Sequence, residues 1–487
     1  MWRTIRGRPS IFAGAALAHV ATVLLGGRVK PSDYERDGTS VDKRTFLKLC
    51  SATVAARFLP VLLGQSPDTK LRNWAGNVEY STDRQFFPRS VQEIQQFVKS
   101  KSRIKTLGTR HCFNQIADSS DEFLSLREMD QVVRLDPNAR TVTIESGMTY
   151  GELCPHLDNK GWALHNLASL PHISVAGACS TATHGSGETN GNLATAVSAL
   201  EMVNAAGDTM SLSRIQDGDL FAGVVVGLGA LGVVTKVTLD IQPRFMMKQY
   251  VYENLPMNEL RDHFDTIESS CYSVSLFTDW QKRRINEVWL KIRLPENPKF
   301  DAPPDFFGAK RATRNLHPIA DLSAENCTDQ LGVPGPWYER LPHFRMGFTP
   351  SAGRELQSEY FVPRKNAVDA ILAIENLRDQ VGPHLLISEI RTIAADDLWM
   401  SPCYKRPSVA IHFTWKPEWP AVKQLLPLIE RELAPFHVRP HWGKLFTLSP
   451  TDLHARYQRL PEFVEVCNKF DPHGKFRNAF LNTNIFA

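Results

Sequence analysis

Three stretches of the 487-residue chain alternate apolar and polar residues with period two, which sets polar side chains in pairs on one face of a strand. Residues 356–361 pair Gln357 with Glu359, residues 385–393 pair Glu389 with Arg391, and residues 409–415 pair His412 with Thr414. A solvated face of an antiparallel sheet produces the same pattern. Glu389 and Arg391, however, lie between Ile387 and Ile393 on their face, and polar groups framed by apolar ones suit a pocket better than open water. Lys444, in His441-Trp442-Gly443-Lys444, reads by itself as a surface lysine.

Two loop segments have a different chemistry. In Gly108-Thr109-Arg110-His111-Cys112-Phe113-Asn114, Gly108 permits a tight turn, and the backbone N–H groups of such a loop can converge on a phosphate as an anion nest. Alone the loop carries little weight, and His111 fits a surface or a packed histidine equally well. The second segment, Ser169-Leu170-Pro171-His172-Ile173-Ser174-Val175-Ala176-Gly177, continues through Thr181-Ala182-Thr183-His184 to Gly187 and is rich in small residues. A stretch of this length without strong element signals in a compact domain is usually functional. Two backbone-rich loops flanking strands suit a long, flat, diphosphate-bearing cofactor. Gly227-Leu228-Gly229-Ala230-Leu231-Gly232 also matches GxGxxG, but that fingerprint needs a helix after the glycines. Here the β-branched run Val233-Val234-Thr235-Lys236-Val237 follows, so a tight helix-to-strand turn is the better reading.

Elements around these segments are legible. Residues 103–107 read as a short strand entering the first loop, and residues 141–145 as another. Residues 150–159 read as a helix capped by Thr149, with Gly161 beyond its end. Residues 168–187 carry few helix signals. Residues 199–213 suggest a hairpin turning at Ala206-Gly207-Asp208, and residues 233–241 a further strand. After about residue 245 the texture changes to strands separated by helices, including 365–378 and 419–433. The last segment, Asp471-Pro472-His473-Gly474-Lys475-Phe476-Arg477-Asn478, is too specific for a loose tail.

Composition narrows the function. The formal charge is +4, but residues 1–48 hold nine Lys and Arg against four Asp and Glu, or +5, which leaves −1 for the rest. A nearly neutral body lacks the basic face that displaces phosphate counterions, which excludes nucleic acid as a partner. The eight cysteines are scattered without a CxxC pair or a Cys/His cluster at zinc spacing, so neither a disulfide framework nor a metal site is expected. HExxH, Walker A and GxSxG motifs are absent. Two apolar stretches within the first 65 residues are short or interrupted for a membrane span. The second follows Asp42-Lys43-Arg44-Thr45-Phe46-Leu47-Lys48, which resembles a twin-arginine export signal with Lys43 in place of the first arginine. Residues 1–68 are therefore set aside as a leader or an extension. Export follows from the first reading and a cytoplasmic protein from the second.

From Asn73-Trp74-Ala75-Gly76-Asn77 to Asn478 the chain resembles the alditol oxidases, xylitol oxidases among them, within the vanillyl-alcohol-oxidase (PCMH) type of FAD enzymes. The resemblance rests on Leu170-Pro171-His172-Ile173-Ser174-Val175-Ala176-Gly177, Tyr272-Ser273-Val274-Ser275-Leu276-Phe277-Thr278-Asp279-Trp280, Gly332-Val333-Pro334-Gly335-Pro336-Trp337 and Pro440-His441-Trp442-Gly443-Lys444. It implies an α+β fold of two domains: an FAD-binding domain over 69–243, an antiparallel-sheet cap over 244–448 that binds substrate, and a segment, 449–487, that completes the first domain. It implies FAD held covalently by His111. Thr106, Leu107, Gly108, Thr109, Arg110 and Cys112 would hold the pyrophosphate, and Ser169, Ser174, Gly177, Thr181, Ala182, Thr183, His184 and Val234 would contact the cofactor. A polyol pocket of Ser169, Gln357, Glu389, Arg391, His412, Thr414 and Lys444 follows from the same resemblance, with Arg391, Lys444 and Glu389 catalytic. Cys112 stands where serine is common after the linking histidine, and Arg110 where some members have glycine. The implied reaction is oxidation of the C1 hydroxyl to an aldose by a monomer, with oxygen reduced to hydrogen peroxide. A sugar-1,4-lactone oxidase, an alditol dehydrogenase with another acceptor, and a flavin-free carbohydrate-binding protein are the alternatives.

Overall fold

The computed structural model describes residues 70–295, 300–348 and 353–487. The leader expected over 1–68 lies outside them. Among the described residues no helix is long and apolar enough to cross a membrane, and the seven cysteines described are all free thiols.

The first half opens with three two-residue parallel strands, β1 (Gln85–Phe86), β2 (Lys105–Thr106) and β3 (Phe123–Leu124), with β3 in the middle. Helix α1 (Val91–Ser100) connects β1 to β2; Ser90 caps it by accepting from the Glu93 N–H, and it buries Ile94, Phe97 and Val98. An antiparallel sheet follows, made of β4 (Val132–Asp136), β5 (Thr141–Glu145), β6 (Val197–Val203), β7 (Thr209–Ser213) and β8 (Val233–Asp240) in the order β4-β5-β8-β6-β7. Buried and half-buried residues alternate along β5 and β8, so one face of the sheet meets the core. Helix α2 (Tyr150–Asn159) starts with a reciprocal capping box between Thr149 and Glu152.

The expectation of few helical residues over 168–187 is corrected here, because the segment contains the short helix α3 (Val175–Ser180). Ala176 and Ala178 favour helix and Gly177 disfavours it; at 177 the missing Cβ leaves room for the Ser174 hydroxyl, which a Cβ would approach to 2.7 Å. The GxGxxG stretch is the expected turn: α4 (Arg214–Val225) ends before it, Leu228 and Gly229 take positive φ of 52° and 64°, and β8 follows.

The second half is a ten-stranded sheet with antiparallel pairing throughout. Its long strands are β9 (Met246–Pro256), β10 (Ser273–Thr278), β11 (Arg284–Leu294), β12 (Leu356–Pro363), β13 (Leu385–Ile393) and β14 (Ser408–Trp415), in the order β9-β11-β10-β13-β14-β12, with four short strands at its margins. Helices α5 (Met257–Glu268), α6 (Ala367–Glu375) and α7 (Trp419–Leu433) pack beside it. The Tyr360 hydroxyl donates to Glu430 of α7 at 2.8 Å, so the helices cover the face of β12 that carries Tyr360. Gln357 and Glu359 alternate with Tyr360 and face away from the helices, toward His184 of the first half. Both faces are covered, which is why every residue of β14 is buried.

The C-terminal segment is tied into the first half. The Asp471 carboxylate accepts from the N–H groups of Lys475 and Phe476, each at 2.8 Å. Lys475 Nζ donates to the carbonyls of Val98 and Ala205, and Asn478 Nδ2 to those of Gln115, Ile116 and Asp118. These bonds account for the specificity of residues 471–478.

Candidate active site

Thr106 ends β2, and its hydroxyl is buried without a hydrogen-bond partner among the described residues. Leu107 is buried and its N–H continues the parallel pairing to the Leu124 carbonyl at 2.9 Å. A Cβ on Gly108 would stand 2.8 Å from Ser174 Oγ, and one on Gly177 2.7 Å from the same atom, so the two loops meet at Ser174, and a side chain at either glycine would make that hydroxyl rotate away. Thr109 Oγ1 accepts from the Ser174 N–H at 3.3 Å. Arg110 takes a left-handed φ of 62°. Beyond Ser174, Thr181 donates to the Gly177 carbonyl at 3.2 Å, Ala182 has φ of 55°, and the Thr183 N–H bonds the Ala178 carbonyl. Val234 stands on β8 opposite Met202. A cradle cleared of Cβ atoms and an orphaned hydroxyl beside it fit a bound diphosphate.

His111 lies under Trp74, ring centroids 4.5 Å apart, with its Nδ1 3.4 Å from His172 Nε2. Burial, then His172 and Lys444, pull its pKa down to about 3, so the imidazole is neutral near pH 7. Burial pushes the Cys112 thiol up to about 11, which keeps it protonated. The Phe113 N–H bonds the Gly443 carbonyl at 2.7 Å, and Asn114 Nδ2 donates to the carbonyls of Trp442 and Lys444 at 2.8 and 2.7 Å. These bonds fasten the histidine loop to the lysine loop.

Sheet register brings the polar strand pairs into one row. His412 sits opposite Glu389 on one side and Glu359 on the other, Gln357 opposite Thr414, and Ser275 opposite Arg391. Glu359 is the hub, fully buried. It accepts from Arg391 Nη2 and from Lys444 Nζ, each at 2.7 Å, and has His184 Nε2 at 3.2 Å and His412 Nδ1 at 3.7 Å. Lys444 Nζ also donates to His412 Nδ1 at 2.8 Å, and His412 Nε2 lies 3.0 Å from Thr414 Oγ1. Glu389 Oε1 contacts His343 Nε2 at 2.7 Å, and its other oxygen lies 3.6 Å from Arg391 Nε. Gln357 donates to Glu355, and Ser169 is half-buried at the rim of the same region.

Charge balance keeps this buried row ionised. Burial alone would raise the pKa of Glu359, but Lys444, His184 and Arg391 hold it well below the carboxylate range. Glu389 is likewise held far down, by Arg391 and His343 against burial. Burial lowers Lys444, and Glu359 opposes that shift. His412 and His343 are each pulled to about 4 by burial first, so both are neutral near pH 7. Two carboxylates thus face two cations, Arg391 and Lys444, in a water-poor site where each charge has a partner.

Lys444 is therefore far from the surface residue that its local sequence suggests, because its partners arrive from β12 and β14. Glu359 shares its strand face with Gln357, a signal that could have placed it in the pocket. His343 and Lys291 carried no comparable signal. Lys291 Nζ, buried on β11, donates to the Pro342 carbonyl at 3.1 Å and to His343 Nδ1 at 3.3 Å, which directs the His343 Nε2–H to Glu389. Burial brings Lys291 down to about 7. Beside the row lies a small cavity, with room for about one water-sized group, lined in part by Ser169, Ser275, His343 and Arg391.

The fold and the two loops that meet at Ser174 define an FAD-binding protein of the vanillyl-alcohol-oxidase (PCMH) type. An FAD binding domain family model matches residues 83–213, and a D-arabinono-1,4-lactone oxidase model matches residues 349–484. An alditol oxidase of Streptomyces sp. (strain IKD472 / FERM P-14339) is 46% identical over 417 residues, covering 85% of this chain and 98% of that protein. The L-gulonolactone oxidase of Bos taurus is 26% identical over 438 residues, covering 85% and 97%. The fold is shared with a solvent-stable cholesterol oxidase (TM-score 0.69, 16% identity, 85% of this chain and 96% of that one). It is shared too with xylooligosaccharide oxidase from Myceliophthora thermophila C1 in complex with xylobiose (TM-score 0.65, 12% identity, 85% and 95%). The chain belongs to the alditol oxidase family, and FAD is its cofactor.

Proposed function

We propose that this chain oxidises the C1 hydroxyl of an acyclic polyol such as xylitol or sorbitol to the aldose while oxygen is reduced to hydrogen peroxide. The observation that carries the reading is the convergence of Arg391, Lys444, Glu389 and Glu359, from two strands and a loop, beside the cofactor cradle. Bound FAD would supply the acceptor for the hydride, which carries both electrons away from C1, and oxygen would then take up those two electrons. Negative charge develops on the substrate oxygen as its proton is lost. Lys444 spends two N–H groups on Glu359 and His412, which leaves one for that oxygen. Arg391 adds a second cation, and preorganised charge of this kind often contributes more to catalysis than any other effect. Glu389, aimed by His343, and Ser169 orient the neighbouring hydroxyl, while Gln357 and Thr414 read hydroxyls farther along.

His111 is the residue that would hold FAD covalently, a role supported by its neutral imidazole and by the cradle that begins three residues before it. Thr106 to Cys112, Ser174, Gly177, the 181–184 turn and Val234 would make the remaining cofactor contacts. The same proposal includes a monomer, exported folded and FAD-loaded if the leader is used, with domain limits at 69–243, 244–448 and 449–487. Intact-mass measurement of the native protein reads the mature N-terminus and any attached flavin together. The D-arabinono-1,4-lactone oxidase match over 349–484 favours one second reading, oxidation of a sugar-1,4-lactone. Steady-state assays of xylitol, sorbitol and L-gulono-1,4-lactone with peroxide detection decide between them. Turnover of the lactone alone, or of polyols without peroxide, would overturn the first reading.

A further inference from the structure

The cavity beside the charged row holds two buried polar groups that the assignment above leaves unused. Ser275 Oγ and Arg391 Nε have no hydrogen-bond partner among the described residues, although Ser275 is only 1% exposed and Arg391 5%; the nearest carboxylate oxygen to that Nε, of Glu389, lies 3.6 Å away, beyond hydrogen-bond distance. Both line the cavity, and their backbones are direct partners across β10 and β13. Two of the nearby polar residues are already engaged: Ser186 Oγ donates to the Val274 carbonyl, and both ring nitrogens of His343 are occupied by Lys291 and Glu389. A buried hydroxyl or guanidinium N–H without a partner is costly, whereas a water or a ligand oxygen placed between the two would satisfy both.

We propose that Ser275 is a specificity-determining residue which, with the Nε–H of Arg391, binds one hydroxyl of the polyol chain. The proposal rests on the polyol reading and deepens it. Arg391 can only donate, so the ligand atom is an acceptor. Ser275 can donate or accept, so a hydroxyl, which does both, meets the pair in either orientation. A ligand lacking that oxygen would leave the Ser275 hydroxyl and the Arg391 Nε–H without a hydrogen bond, which is how a polar pocket rejects deoxygenated analogues. Among the described residues the Ser275 hydroxyl has no hydrogen bond to lose, and its role is therefore separable from folding.

The test is Ser275→Ala in the FAD-loaded full chain, assayed with xylitol and with a series of deoxyalditols each lacking one hydroxyl. For xylitol the expected result is a KM raised about tenfold with kcat within about twofold, the signature of lost ground-state binding. One deoxyalditol, the analogue missing the hydroxyl that Ser275 binds, should show the same KM with wild type and variant. Unchanged KM for xylitol, or an equal penalty for every analogue, would overturn the proposal. Wild type inactive on every alditol would overturn the polyol reading and this one with it; an active wild type with an unaffected variant sinks Ser275 alone. If Ser275→Ala fails to load FAD, Ser275→Cys, which keeps the shape with a poor donor, replaces it with the same expected loss.

Discussion

Replacing Glu359 by glutamine keeps the side-chain shape and removes the one charge that four basic groups share. Lys444 and Arg391 lie 2.7 Å from its oxygens, His184 3.2 Å and His412 3.7 Å. At an effective dielectric of about 20, each cation at that distance gains roughly 6 kcal/mol of Coulomb energy, much of it offset by desolvation. Breaking such a buried pair costs about 3–5 kcal/mol of stability. The stronger consequence is chemical. Burial already lowers the Lys444 pKa and Glu359 is the main group that raises it, so Glu359→Gln must lower it further. Each ~1.4 kcal/mol of lost attraction weakens proton binding tenfold. If protonated Lys444 supports turnover, the alkaline limb of kcat/KM moves to lower pH and the rate near neutrality falls. The assay is a pH profile of xylitol oxidation by peroxide release, with FAD content measured on the same samples. The stability effect has its own sign. Glu359 is held below its unfolded value, so its contribution is present above that value and disappears as pH falls through the folded one. Wild type and variant should converge in urea midpoint in acid. An alkaline limb that stays in place, or moves to higher pH, would refute the role assigned to the protonated lysine.

Lys444→Met should bind FAD as wild type does yet lose reduction by xylitol about 10²–10³-fold, measured anaerobically by flavin absorbance; near-normal reduction removes Lys444 from the reaction. With the proposed linkage, denatured wild type should keep yellow fluorescence on a gel and His111→Ala should lose it, and a fluorescent variant band would place the linkage elsewhere. Glu268, buried at the end of α5 and bonded to Thr392, is raised to about 8 by burial and is therefore neutral at pH 7 when folded. Above its unfolded value the native state holds a proton that the unfolded state has released, so the carboxyl costs stability increasingly up to about pH 8. Glu268→Gln should thus gain on wild type between pH 5 and 9, by up to about 4 kcal/mol, in urea midpoints followed by fluorescence; a gap that does not change with pH would show that the carboxyl is ionised.

Much of the local structure is legible in the sequence because its causes are local. Thr149 and Glu152 make a capping box within one turn, residues 227–232 must turn because β-branched residues follow, and period-two alternation alone puts Glu389 beside Arg391 on one face. The loop at 108–114 and the segment at 169–187 announce a cofactor by composition, and the family resemblance supplies its identity. What lies beyond the sequence is which of these pieces meet. Gly108 and Gly177, far apart in the chain, both come to lie against Ser174 at the start of helix α3. Lys444 is buried because Glu359 and His412 reach it from strands that pair only in the folded sheet, and Asn114 anchors its loop from 330 residues away. His343 is aimed by Lys291, two side chains with no shared periodicity. Strand faces are set by neighbours in the chain, whereas the pairing of buried charges is set by sheet register and by loops closing over long sequence separations, and only the tertiary structure decides those.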